Sequence, residues 1–210
     1  MADPGSSLDA QVRAADPDRW LSSRCDGDAG ARADLVALYA FEAELLAIPT
    51  RVTQPLLAEM RYVWWRDQLD GVFAGVARKG HPVLEALTDL VARHELEREP
   101  FDALIAAHIG RVHGEPHDLD AFYVGPMQAA VRVLAGPGHE AAVVQAGRVW
   151  GLTQTGRFDE ARAARADARA EVRALPVRAF PAVAHVALTP AESEAAKRLR
   201  LIWASMTGRI

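Results

Sequence analysis

The 210-residue chain lacks the features that mark several large classes of protein. It has a single cysteine, Cys25, so no disulfide bond can form within the chain, which is typical of proteins from a reducing compartment. No stretch approaches eighteen uninterrupted apolar residues, so we predict no transmembrane helix. The N-terminal segment is polar and acidic and has no apolar centre, which argues against a secretory signal peptide.

An excess of positive charge is also missing. The chain has 24 Lys and Arg against 28 Asp and Glu, which gives a formal net charge of −4. A protein that binds nucleic acid needs a strongly basic face, so we predict no nucleic-acid partner. These properties favour a cytoplasmic location, and they leave peripheral association with a membrane surface open.

What the sequence does contain is the pattern of a helical protein. Half of the residues are hydrophobic, which is enough for one sizeable core. Apolar residues recur at helical spacing through most of the chain, whereas the alternation typical of strands is missing. Pro126 follows Gly125 within a helical pattern over residues 118–134 and predicts a kink there. The sequence therefore predicts an all-α fold.

Breakers and caps predict where several of these helices begin and end. Asp16 is predicted to cap a short helix whose first residue is Pro17, and Pro49 is predicted to end the next one. Thr189 with Glu192 three positions later predicts a capping box for the last helix, which runs to about residue 207. Because Pro4 and Gly5 disfavour helix, we predict a flexible leader over residues 1–15 and one helical domain over residues 16–210.

Several segments occur together in an order typical of one known family. The segment LYAFEAELLAIPT spans residues 38–50, and QPLLAEMRYVWWRDQLDGVFAG spans residues 54–75. ADPDRWLSS precedes them, and HPVLEAL and AGRVWGLTQTGRFDEAR follow. In order and spacing these segments resemble the squalene/phytoene synthase family, whose enzymes join two prenyl diphosphates head to head. The chain most resembles the short, divergent branch that includes mitochondrial complex I assembly factors.

The chain departs from this family where the chemistry should be. The family carries an acidic cluster a few residues after its YAF-like start, but here those positions are Leu46, Ala47 and Thr50. The segment AGRVWGLTQTGRFDEAR corresponds to the family's second motif, and in it Phe158 stands where the family has an aspartate. The basic stretch that normally follows this motif is absent. Carboxylate oxygens hold the diphosphate through Mg²⁺, and these residues cannot replace them. We therefore assign no catalytic residue, metal site or cofactor.

The resemblance implies an isoprenoid-synthase-like helical bundle around a central cavity. It also implies a protein that acts as an assembly or scaffold factor, or as a binder of isoprenoid or lipid. The partner would then be a membrane-associated protein complex or a prenyl lipid. Glu42 is expected to pair with Arg61 or Arg66, because an unpaired buried carboxylate is costly. The residues predicted to line the cavity are Tyr39, Phe41, Glu42, Trp64, Gln154 and Arg157.

The alternative is an active Mg²⁺-dependent transferase of farnesyl or geranylgeranyl groups, as the family resemblance implies. Its carboxylates would be relocated to Asp67, Asp70, Asp159 and Glu160, and all four would have to converge on one cavity. The competing interpretation of Asp67 and Asp70 is an acidic pair on a helix surface, since residues three apart share a helix face.

Three further features have a structural and a functional interpretation each. Trp64 is predicted to be in the core, and Trp65 either packs there too or lines a cavity or partner surface. His108 and His113 are five residues apart, which does not predict a shared metal ion. An arginine-rich helix either pairs with its own acids, which we favour, or binds diphosphate or anionic lipid headgroups; its arginines are Arg157, Arg162, Arg165, Arg169 and Arg173.

Overall fold

The computed structural model describes residues 4–76, 78–189 and 191–210. Within these residues the chain forms α-helices, short 3₁₀ and π-helical segments, and no strand, so the all-α prediction is confirmed. The α-helices are α1 Pro4–Ala15, α2 Pro17–Ser23, α3 Ala29–Arg51, α4 Pro55–Phe73, α5 Pro82–His94, α6 Glu99–Val112, α7 Gly125–Ala135, α8 Val144–Gln154, α9 Phe158–Val172 and α10 Glu194–Thr207.

The start of α2 follows the predicted capping pattern. The Asp16 carboxylate accepts a hydrogen bond from the Arg19 backbone N–H at 2.9 Å, and Pro17 is the first helical residue. Proline suits this position because its missing N–H would have no helical partner there. The predicted break in the helical pattern is also present, since a π-helical segment, Asp120–Val124, gives way to α7 at Gly125.

Two predicted helix ends are wrong. Helix α3 continues past Pro49 to Arg51. Pro49 cannot donate to the carbonyl of Leu45 four residues earlier, but the buried Tyr62 hydroxyl donates to that carbonyl instead, at 3.3 Å. The start of α10 also differs, because its N-cap is Ser193, whose hydroxyl accepts from a backbone N–H of the first turn.

The N-terminal segment differs from the predicted flexible leader. Residues 4–15 form helix α1, while residues 1–3 lie outside the described part of the chain. Leu8 and Val12 are buried in the main hydrophobic core, and the Gln11 amide donates to Glu44 of α3 at 2.6 Å. Burial of an apolar face has overridden the local helix-breaking residues, so the packed domain begins before residue 16.

Helix α3 lies at the centre of the fold and packs against α1, α5 and α7. Its residues Leu35, Leu38, Phe41 and Leu45 are almost completely buried. A helix that is apolar around most of its circumference is stable only when other helices cover it on several sides. This arrangement fixes the position of Glu42, which the core must accommodate, whereas Glu44 two residues later is only half-buried.

Helix α8 approaches the π-helical segment very closely. A Cβ atom at Gly147 would lie 2.9 Å from the Cα atom of Val124, and one at Gly151 would lie 2.5 Å from the Tyr123 ring. Glycine therefore lets α8 pack directly on backbone at Gly147 and against the Tyr123 ring at Gly151. The approach brings Tyr123 and Trp150 to the same side of the molecule as α2 and α3.

Among the described residues, no helix combines the length and the apolar character that crossing a membrane would require.

Candidate functional site

A cavity of about 400 Å³ opens between α2, α3, α6, α8, α10 and the π-helical segment. Its lining divides into an apolar and aromatic part and a charged part. The first part comprises Leu46, Leu104, Phe122, Tyr123 and Trp150, and the second comprises Asp16, Asp18, Arg19, Glu42 and Lys197. His108, His117 and Gln154 complete the polar lining.

Arg19 is the central charged residue of the cavity wall. Its guanidinium donates to Asp16 at 2.6 Å and to Glu42 at 2.6 Å, and it lies 4.8 Å from the centre of the Tyr39 ring. The side chains of Arg19 and Glu42 are 12% and 5% exposed. One cation thus neutralises two carboxylates that are largely removed from water.

Burial determines the protonation of this cluster. Burial raises the pKa of Glu42, and the neighbouring Arg19 opposes that shift. Burial also disfavours the charged form of Arg19, but Glu42 and Asp16 outweigh it and raise its pKa. The pKa of Asp16 is lowered, because the charge and hydrogen bonds of Arg19 outweigh burial. Arg19 is therefore a permanent cation, and one oxygen of Glu42 is buried without a hydrogen-bond partner.

The second cation of the cavity is also paired. Lys197 of α10 lies 2.7 Å from Asp18 of α2, and the two side chains are 12% and 10% exposed. Together with the Arg19 cluster, the wall carries three carboxylates and two cations. Each cation already binds at least one carboxylate, so the wall offers a bound anion no uncompensated positive charge.

The histidines of the cavity do not change this balance. His108 is stacked on Tyr62 at 5.0 Å, and burial, assisted by His117, lowers its pKa to about 4. His117 is stacked on Phe122 at 4.3 Å, and burial again lowers its pKa. Both rings are therefore uncharged at neutral pH and contribute flat aromatic surface.

A third histidine lies next to the aromatic wall. His185 packs edge-on against Trp150 at 4.8 Å and is almost completely buried. Neither ring nitrogen has a hydrogen-bond partner. Burial, with a contribution from the charge of Arg19, lowers the pKa of His185 to about 3.

Two of the six residues predicted to line the cavity do so, namely Glu42 and Gln154. Tyr39 and Phe41 are buried beside it, under Arg19 and against Phe101. The prediction is wrong for Trp64 and Arg157, which do not line the cavity. Trp64 contacts His81 at the edge of a separate groove, and Arg157 is exposed and paired with Glu160 at 2.5 Å.

The prediction that Glu42 pairs with an arginine is confirmed, but the two predicted partners are wrong. Its cation is Arg19 of α2, whereas Arg61 and Arg66 are exposed on α4. Trp65 is in the core, as the core alternative predicted, whereas Trp64 is only half-buried and differs from the prediction. Helical spacing places both tryptophans on α4, but it does not specify which side of that helix meets α3.

The four carboxylates of the transferase alternative do not converge. Asp67 and Asp70 are exposed on α4, and Asp70 pairs with Arg98 at 2.6 Å. Asp159 and Glu160 are exposed on α9, where Asp159 pairs with Arg162 at 3.0 Å. Within the described residues, no group of three His, Cys, Asp or Glu side chains is arranged to hold a metal ion. The alternative in that form is wrong.

The arginine-rich helix α9 behaves as predicted over its first half only. Arg157 and Arg162 pair with their own acidic neighbours on the helix. Arg165 and Arg169 instead donate to backbone carbonyls of Val186, at 3.4 Å, and Ile210, at 2.6 Å. These two arginines hold the C-terminal part of the chain against α9.

A larger groove of about 630 Å³ lies between α1, the start of α3 and α5. It contains none of the residues predicted to form a site, and two of its carboxylates are paired within it, Asp34 with Arg93 at 2.9 Å and Asp9 with Arg24 at 2.6 Å. We therefore place the candidate site in the smaller cavity, where buried charge and aromatic surface meet.

Most of the charged residues that line the cavity are not predicted from the sequence. Asp16 is predicted only as a helix cap, and neither Arg19 nor Lys197 is predicted to have a role. One signal was available, because a helix of seven residues that contains both Asp18 and Arg19 next to Trp20 must place some charge near the core. The partners of these charges depend on helices that are distant in sequence.

The geometry can be compared with known proteins. A family model described as squalene/phytoene synthase matches residues 12–123, which is more than half of the chain. The matched part runs from α1 to the π-helical segment and includes Arg19, Glu42 and Phe122, whereas Trp150 and Gln154 lie beyond it. Neither a curated protein nor a solved structure gives a significant match. On the strength of the family match, the chain belongs to the squalene/phytoene synthase family.

Proposed function

We propose that this protein is a non-catalytic member of its family that binds an uncharged isoprenoid or lipid chain in the central cavity. The observation that carries the proposal is the double salt bridge of Arg19. The carboxylate of Glu42 on α3 is neutralised by a guanidinium, and the Asp16 carboxylate shares that same cation. A metal ion could reach Glu42 only at its unpaired oxygen, directly beside the buried Arg19 guanidinium, and two cations so close together are unfavourable at low dielectric.

The charge of the wall argues against a prenyl diphosphate as the ligand. Transfer of a prenyl group requires Mg²⁺ ions that hold the diphosphate and stabilise it as it leaves. In this cavity the three carboxylates are bound to Arg19 and Lys197, and the histidines are uncharged. A diphosphate would add several negative charges to a wall whose cations are already paired, and such an arrangement is unfavourable at low dielectric.

The apolar part of the wall supports an isoprenoid chain. A volume of about 400 Å³ lies in the range in which protein cavities bind small ligands. Leu104, Phe122 and Trp150 offer buried apolar surface, and the uncharged ring of His108 extends it. Leu46 and Gln154 are both exposed and both line the cavity, so they form its entrance.

Binding to farnesol and to farnesyl diphosphate, with and without Mg²⁺, tests the proposal by calorimetry. We expect farnesol to bind with an affinity that Mg²⁺ does not change, and farnesyl diphosphate to bind more weakly than farnesol even when Mg²⁺ is present. Leu46→Trp should narrow the entrance and weaken farnesol binding by roughly tenfold or more. Leu56→Trp is the matched control, because Leu56 is an exposed leucine of α4 that does not line this cavity.

Release of inorganic diphosphate from farnesyl or geranylgeranyl diphosphate is the decisive companion assay. We expect no release above the rate of a protein-free blank at millimolar Mg²⁺. Mg²⁺-dependent release that Glu42→Gln abolishes would contradict the proposal and return the protein to the transferases. The assembly or scaffold role, which rests on the resemblance to complex I assembly factors, stays a prediction.

A further inference from the structure

Helix α10 has an apolar face that no other described element covers. Leu199, Ile202, Trp203 and Met206 follow the spacing of one helix face, and their side chains are 51–82% exposed. The opposite face of α10 buries Leu201 and Ala204 against the domain. Four large apolar side chains on one exposed helix face mark a surface of interaction rather than ordinary scatter.

Positive charge flanks this apolar face on both sides. Arg198 and Arg200 each lie about 100° around the helix from Leu199, in opposite directions. They pair with Glu194 and Glu192 respectively, at one end of the helix. The exposed Arg209 lies beyond the other end.

The basic flank continues onto the neighbouring helix α9. Arg165 and Arg169 lie one turn apart on α9, where burial lowers the pKa of Arg165 and the charges of Arg169 and Arg200 lower it further. Arg165 and Arg169 donate hydrogen bonds to backbone carbonyls. The cations around the apolar face thus outnumber Glu192 and Glu194, although the whole chain has a net charge of −4.

We propose that the outward face of α10 docks on an anionic lipid surface. A helix that lies in a membrane interface combines a large apolar face with arginines or lysines along its borders. Tryptophan favours that interface because its ring is apolar and its N–H is polar, and arginine stems can reach from the apolar layer to the headgroups. Arg165, Arg169 and Arg209 have no aspartate or glutamate partner among the described residues, so they supply the charge complementarity that an anionic headgroup requires.

A second copy of the chain is a less suitable occupant. A twofold interface places the same patch of both subunits in contact, so the excess of arginine would face itself. The proposed docking surface is also separate from the central cavity. Of the α10 residues, Lys197 lines that cavity, and it lies on the buried side of the helix. Loss of lipid docking would therefore leave the cavity and its ligand intact.

Co-sedimentation with vesicles tests the proposal on the full chain. We expect binding to vesicles of phosphatidylcholine with about one third phosphatidylglycerol, weaker binding to phosphatidylcholine alone, and loss of the difference at high salt. Ile202→Ser/Trp203→Ser/Met206→Ser should reduce the partition coefficient by roughly tenfold or more. Arg209→Gln should reduce it by roughly fivefold on the anionic vesicles only.

The matched control is Leu56→Ser/Met60→Ser on α4, where the two side chains are 68% and 60% exposed. It removes a similar kind of surface and should leave vesicle binding unchanged. Equal binding of the α10 variant and the parent protein would overturn the proposal. So would the absence of vesicle binding together with a concentration-dependent dimer that the α10 variant abolishes, because the face would then be covered by a second copy.

Discussion

Replacement of Arg19 by methionine tests the cluster on which the candidate site depends. Methionine keeps a long apolar stem in the same space but removes the charge that neutralises Asp16 and Glu42. Removing one partner of a buried ion pair costs about 3–5 kcal/mol, because the other charge stays buried without compensation. Here a single cation serves two carboxylates, with Glu42 only 4% exposed. We therefore expect Arg19→Met to lower the free energy of unfolding by about 4 kcal/mol at pH 7.5.

The pH dependence of this loss has a definite sign. Without Arg19, burial and mutual repulsion should raise the pKa of both carboxyl groups in the folded state above their unfolded values. The folded variant then binds more protons than the unfolded chain, so its stability rises as the pH falls. The difference between Arg19→Met and the parent protein should therefore be largest at pH 7.5 and smaller at pH 5.

Urea unfolding followed by circular dichroism at the two pH values measures both effects. Arg162→Met is the matched control, because Arg162 pairs with Asp159 on the exposed side of α9, and it should change stability by less than about 0.5 kcal/mol. Adding Glu42→Gln to Arg19→Met should recover about 2 kcal/mol, since one of the two stranded charges is removed. The reasoning is refuted if Arg19→Met costs no more than Arg162→Met, or if its cost grows on acidification.

Three further outcomes follow from particular contacts. The pKa of His185 is about 3 in the folded protein and near 6.5 in the unfolded chain. The protein should therefore lose stability as the pH falls below 6.5, by about 2 kcal/mol at pH 5. In His185→Gln the urea midpoint should depend less on pH across this range. Gly147→Ala should lower the free energy of unfolding in urea by about 1–3 kcal/mol, because its Cβ would meet backbone. Gly110→Ala should be tolerated, because its Cβ would meet a movable glutamate side chain. Tyr62→Phe should lower the melting temperature, at a cost of about 1 kcal/mol, by leaving the Leu45 carbonyl without its donor.

The helices could be predicted where the local sequence decides them. Pro17 occupies the first position of α2 as predicted, and apolar spacing identified the long buried helix α3. Prediction failed where a distant group changed the local preference. Pro49 is accommodated because Tyr62, on another helix, uses the freed carbonyl, and helix α1 forms in spite of Pro4 and Gly5 because α3 covers its apolar side.

The candidate site was less predictable than the fold. The sequence indicated that Glu42 falls on an apolar helix and must be paired, and this is correct. It gave no means to choose among arginines, because Arg19 lies 23 residues away on a helix whose orientation depends on the packed core. Spacing likewise placed Asp67 and Asp70 on one face of α4 without indicating that this face is exposed to solvent.

The contact between Arg19 and Glu42 links stability and chemistry in this protein. A Mg²⁺ ion could bind Glu42 only through its unpaired oxygen, and it would then lie beside the buried Arg19 guanidinium, which is unfavourable at low dielectric. The ion pair that stabilises the fold therefore uses the same carboxylate that a metal ion would need. If Arg19→Met destabilises the protein as expected, the same measurement will support the view that the charged part of the cavity lining serves the fold.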